Sequence, residues 1–130
     1  LICVFGCGGD RDRGKRPQMG RIGAERADLV FLTSDNPRSE DPEEILAEIA
    51  SGMESGANAQ ILENRGQAIK EALTIARQGD VVVIAGKGHE AVQILAEGTV
   101  PFDDREVARQ VLEELTGRSE RERWAGEEGV

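Results

Sequence analysis

The sequence predicts an α/β domain with a mostly parallel sheet, on three observations. Short apolar runs alternate with amphipathic stretches along the whole chain. One run, Val81–Ala85, is wholly apolar, the pattern of a strand covered on both faces. Helix-start signals stand between the runs, most plainly at Asp41-Pro42-Glu43-Glu44. Strands alternating with helices are the signature of parallel strands joined by helical crossovers.

In order, Leu1–Phe5 reads as a strand and Gly6–Gly14 as the loop that follows. Lys15–Ala27 reads as a helix weakened by Gly20 and Gly23. Leu29–Thr33 is the second strand. Asp41 caps the next helix, Pro42 takes its first position, and acids fill its first turn. Ile45, Leu46, Ile49 and Met53 share one face of it. Ala59–Leu62 is a short third strand, and Asn64 is placed to cap a helix with Ile69, Leu73 and Ala76 inward. After Val81–Ala85, Ala91–Leu95 and Thr99–Phe102 form a hairpin around Glu97-Gly98. Asp103 or Asp104 starts a last helix with Val107, Ala108, Val111, Leu112 and Leu115 inward. The domain is therefore drawn over residues 1–116, and 117–130 as a charged tail.

The chain has 130 residues, enough for one domain with a core of its own. Its net charge of -9 gives no basic footprint for nucleic acid or for an anionic membrane. Aromatics at 3% leave little for stacking on bases. Cys3 and Cys7 have no second cysteine pair and only one histidine beside them, so neither a zinc site nor a structural disulfide is expected. Free thiols fit a cytoplasmic protein. The chain opens at Leu1, directly on an apolar run, so an upstream segment is expected.

In an open parallel sheet, ligands sit beyond the carboxyl ends of the strands. That rule selects three loops: Gly6–Lys15, Ser34–Arg38 and Gly86–Glu90. The first reads G-x-x-x-x-G-K from Gly9, like a phosphate-binding loop. Arg16 stands where a magnesium-binding Ser or Thr belongs, and Asp10 and Asp12 repel phosphate. Two other readings stay open: a plain Gly-rich turn, or a loop in which Arg11 grips a carboxylate.

In the second loop Pro37 fixes its own φ and pushes Asn36 out of the helical region. Arg38 can hold a carboxylate, Asp35 can accept from an ammonium, and Asn36 can do both. The plain alternative has Asp35 capping local backbone and Arg38 in solvent. In the third loop Gly86 and Gly88 allow a close approach to the backbone, and Glu90 offers a second carboxylate. His89 reads as a structural or solvated histidine, and Lys87 as a surface or helix-flanking charge. Together the loops suit a zwitterion, with Arg11 and Arg38 for carboxylate and Asp35 and Glu90 for ammonium. No nucleophile–base pair accompanies them, so no catalytic residue and no metal ligand is expected.

Val4–Asp12, Thr33–Arg38, Ala85–Glu90 and Phe102–Arg105, in this order and at these spacings, resemble the C-terminal domain of the Mur ligases. The form Asp35-Asn36-Pro37-Arg38 resembles the members that add diaminopimelate. The resemblance covers residues 1–115 and implies a Rossmann-like domain, truncated at its N-terminus. It implies a cytoplasmic ligase of peptidoglycan synthesis that phosphorylates the D-glutamate carboxylate of UDP-MurNAc-L-Ala-D-Glu with ATP and Mg2+. The amine of meso-2,6-diaminopimelate then displaces phosphate to form the amide. Arg11, Asp35, Asn36, Pro37, Arg38, Gly86 (through its backbone) and Glu90 are implied as the diaminopimelate site.

The resemblance also implies that ATP and Mg2+ are held mainly by a central ATPase domain outside this chain, which is not expected to ligate alone or to bind them. A monomer is expected. A stand-alone amino-acid-binding module, or a domain of another Mur or folylpolyglutamate-type ligase, are the competing readings.

Overall fold

The computed structural model describes residues 1–87 and 89–128, with side chains to residue 117. Its elements are β1 (Ile2–Phe5), α1 (Lys15–Arg26), β2 (Leu29–Leu32), α2 (Pro42–Ala50), β3 (Ala59–Ile61), α3 (Arg65–Ile75), β4 (Val82–Ile84), β5 (Val92–Leu95), β6 (Gly98–Pro101) and α4 (Asp104–Glu128). Strands β3, β2, β1 and β4 lie side by side in that order, all parallel. β5 and β6 form a separate antiparallel hairpin. The predicted α/β class with a mostly parallel sheet and a hairpin after it is the observed architecture.

Side-chain alternation along the two central strands divides the core. Ile2, Val4 and Phe31 point to one face and pack with Ala68, Ile69 and Ala72 of α3, and with Val107 and Ala108 of α4. Phe5, Val30 and Leu32 point to the other and pack with Ile45, Leu46 and Ile49 of α2. Truncating a fully buried residue such as Ile69 costs about 2–5 kcal/mol.

α1 covers the α2 side because Gly20 lets the helices touch: a β-carbon there would lie 1.9 Å from the Ile49 carbonyl oxygen. The glycine that weakens the helix in isolation is what docks it. The expected caps are in place. Asp41 accepts from Glu43 N–H at 2.9 Å, with Pro42 behind it, and Asn64 accepts from Gln67 N–H at 2.9 Å.

Three expectations change. Val81–Ala85 is not covered on both faces: β4 is an edge strand paired only with β1, and Val81 and Val83 are exposed. The hairpin loop is Ala96-Glu97, because Gly98 already pairs with Leu95. Leu112 and Leu115 are exposed, since the sheet and α3 take up only the first turns of α4 and its Val111. α4 itself runs on through Gly117 to Glu128.

Candidate functional site

The three loops picked from the sequence meet at the carboxyl edge of β1, β2 and β4. The loop after β1 packs on the loop after β2 backbone to backbone. Gly9 N–H donates to the Asn36 carbonyl at 2.7 Å. A β-carbon at Gly9 would lie 1.8 Å from the Pro37 carbonyl oxygen, so only glycine fits. The hairpin closes the other side. Arg38 N–H donates to the Ile94 carbonyl at 3.0 Å, and the Gln93 side chain donates to the Asp35 carbonyl at 2.9 Å.

Arg38 sits at φ 52, a left-handed backbone that arginine rarely adopts. This turns its side chain back over the first loop, where Nη1 donates to the Gly9 carbonyl at 2.9 Å. Among the described residues its guanidinium has no carboxylate partner. Arg11 is exposed on the neighbouring loop. The two are close: a β-carbon on Gly8 would lie 2.9 Å from Arg38 Nη1 and 3.4 Å from Arg11 Cγ. The Arg38 guanidinium and the stem of the Arg11 side chain thus flank one glycine, and the fork of a guanidinium suits a carboxylate.

Asp35 lies on the β4 side. One of its oxygens, Oδ1, is buried without a hydrogen-bond partner, which argues against the plain alternative of a local cap. Its other oxygen faces Gly86, where a β-carbon would lie 3.4 Å away. Gly86 itself has φ 114. Burial pushes the Asp35 carboxyl above its ordinary range, against the pull of Arg65 and Lys87. Glu90 is exposed and accepts from the Asn36 side chain at 3.2 Å. Asn36 is almost fully buried, and Pro37 carries the turn that separates it from Arg38. All seven expected site residues therefore line one edge of the domain. Gly88 lies outside the described residues, and His89 is exposed.

Sequence reading missed the buried charges beneath this edge. Arg16, read only as the wrong residue for a phosphate loop, is 1% exposed. It pairs with Glu40 at 2.7 Å and with Glu48, and donates to the Gly8 carbonyl at 3.0 Å. Glu40 also accepts from Asp10 N–H, and these contacts pull its carboxyl down to about 2, the Arg16 hydrogen bond most. Lys87, read as a surface or helix-flanking charge, is 2% exposed. Arg65 is buried against Asp104.

The first loop does not fit the phosphates of ATP. Gly9 N–H is spent on Asn36, Asp10 N–H on Glu40, and Gly14 N–H on the Asp12 carboxylate. A phosphate cradle needs those donors free. Among the described residues no group of His, Cys, Asp or Glu is arranged to hold a metal ion, and no helix is long and apolar enough to cross a membrane.

The family model described as "Mur ligase, glutamate ligase domain" matches residues 1–88. Among curated relatives, the UDP-N-acetylmuramoyl-L-alanyl-D-glutamate--2,6-diaminopimelate ligase of Clostridium tetani is 56% identical over 88% of this chain and 24% of its own length. The protein of the same name from Gloeobacter violaceus is 58% identical over 91% of this chain and 24% of its own. A solved structure of a ligase with that name superposes with a TM-score of 0.84 at 47% identity, over 89% of this chain and 24% of that one. The chain thus spans about a quarter of the length of the relatives it matches. Its fold, its ordered loop motifs and these likenesses together place the chain in the Mur ligase family, within the domain that family's model describes.

Proposed function

We propose that this chain is the amino-acid-receiving part of an ATP-dependent amide ligase that adds meso-2,6-diaminopimelate to UDP-MurNAc-L-Ala-D-Glu. The observation that carries the reading is the pairing of charges at the site. Arg11 and Arg38 flank Gly8, while Asp35 and Glu90 lie on the β4 side of Asn36. An amino acid presents a carboxylate and an ammonium; diaminopimelate presents two of each, where lysine has one carboxylate. The unpaired guanidinium of Arg38 is the group that selects for the second carboxylate.

In this role the chain binds and aims its substrate and does no bond-making. Arg38 and Arg11 fix a carboxylate, Asp35 and Glu90 take the ammonium, and the Gly86 backbone allows the close approach. In this reading ATP and Mg2+ belong to a central domain outside this chain, and the occupied N–H donors of the first loop support that division. The amide is formed where that domain meets this edge, in the cytoplasm, on the way to peptidoglycan.

The test is ligation by the full-length protein that carries this domain. With ATP and UDP-MurNAc-L-Ala-D-Glu it should incorporate meso-diaminopimelate, and Arg38→Ala should impair that amino acid selectively. Calorimetric titration of the chain alone tests the competing stand-alone module: submillimolar affinity for diaminopimelate without other domains would favour it.

A further inference from the structure

We infer that Lys87 is a positioning residue for amino-acid recognition, acting through the carboxamide of Asn36. The inference rests on the amino-acid reading above and extends it to a buried residue that no motif role covers. Lys87 leaves the end of β4 behind Gly86 and turns inward, with 2% of its surface exposed. Its ammonium donates to the Val92 carbonyl and reaches Asn36 Oδ1 at 3.4 Å. Among the described residues no carboxylate pairs with it. A buried ammonium without a carboxylate is unusual and has to be satisfied by oriented dipoles.

The dipole that answers it is Asn36. Two donors converge on one terminal atom of that side chain: Lys87 Nζ and Ile94 N–H, the latter at 2.9 Å. Both are donors only, so the atom between them must be oxygen. The nitrogen is thereby turned to Glu90, whose carboxylate it holds at 3.2 Å. The same ammonium draws on the Asp35 carboxylate. Lys87, together with the Ile94 N–H, therefore sets which end of Asn36 faces the ligand edge and holds Glu90 where an ammonium can meet it. Turned round, the amide would present oxygen to Glu90 and push its carboxylate away.

The experiment is steady-state kinetics of the full-length protein with Lys87→Met, Lys87→Gln and Asn36→Asp, each checked for its melting temperature. Lys87→Met should raise KM for diaminopimelate by about tenfold, as expected for one lost oriented hydrogen bond, with KM for ATP and for the UDP-MurNAc-dipeptide within about twofold. Lys87→Gln, which keeps an N–H donor, should recover most of the loss. In an Asn36→Ala background Lys87→Met should add less than about twofold, because its route is already removed.

Asn36→Asp keeps a partner for the ammonium but cannot donate to Glu90. It should lose diaminopimelate affinity while keeping its melting temperature, and it keeps the inference falsifiable if Lys87→Met fails to fold. An Asn36→Asp protein with wild-type KM overturns the inference. So does a Lys87→Met effect spread equally over all substrates, or one that multiplies with Asn36→Ala. If the wild-type protein adds no diaminopimelate, the functional reading fails and takes this with it. If it does, and only Arg38→Ala impairs it, this inference fails alone.

Discussion

Arg65 and Asp104 form a buried, two-pronged ion pair, with Nε and Nη2 each 2.7 Å from a carboxylate oxygen. The pair joins the first residues of α3 and α4, and the guanidinium goes further. Nη1 donates to the Ser34 carbonyl at 3.0 Å and Nη2 to the Ala85 carbonyl at 3.1 Å. Ser34 and Ala85 are the residues just before Asp35 and Gly86. One side chain therefore ties the loop after β2 to the loop after β4.

Asp104→Ala should then do two things. It leaves a buried guanidinium short of its countercharge, which costs about 3–5 kcal/mol in stability. It also loosens both loops, so diaminopimelate binding should weaken along with the urea midpoint. A variant that loses stability with binding intact would show that the tether does not position the site.

Arg38 carries a strained backbone and the proposed recognition charge together. Arg38→Gly should relieve the left-handed φ, by about 1 kcal/mol, and raise the melting temperature slightly. It should also cut diaminopimelate use as deeply as Arg38→Ala, about 2–4 kcal/mol in kcat/KM. Denaturation and kinetics on the same pair of variants check this.

Asp35 is destabilised when charged. Its folded-state value is raised above that of the unfolded chain, so the folded state holds the proton longer. The stability linked to it is full below the ordinary aspartate range of about 4 and is lost as pH rises through the raised folded value. Asp35→Asn should therefore increase stability at neutral pH, flatten that part of the pH profile, and weaken diaminopimelate binding. Urea midpoints between acid and neutral pH give the sign.

Glu40 behaves in the opposite sense. With its carboxyl held down to about 2, its contribution is full above the unfolded glutamate value and is lost as pH falls toward 2. Glu48 is lowered too, by Arg13 first and Arg16 second. Glu40→Gln should shrink the acid limb of the stability curve and free the Asp10 loop, read as faster amide exchange at Gly9 and Asp10.

Much of this was legible in the sequence because it rests on local chemistry. The β1–β4 strands announce themselves as apolar runs, the Asp41 and Asn64 caps as side chains ahead of helical periodicity, and the site loops as polar residues after strands. What was not legible depends on partners far away in the chain. Arg16 meets Glu40, Arg65 meets Asp104 and Lys87 meets Asn36 across separations of 24, 39 and 51 residues. In a chain that is 32% charged, nothing local marks those three as buried. The exposure of β4 was misread for a related reason: a wholly apolar run gives the burial a strand favours, and its place at the sheet edge is a matter of topology.

The central claim is that Arg38, with Arg11 beside it, asks for a second carboxylate. The most direct measurement is the competition between meso-diaminopimelate and L-lysine for ATP-dependent addition to UDP-MurNAc-L-Ala-D-Glu by the full-length protein. A strong preference for diaminopimelate, largely abolished by Arg38→Ala, is the expected result. Equal use of the two amino acids, or a preference for lysine, would contradict it.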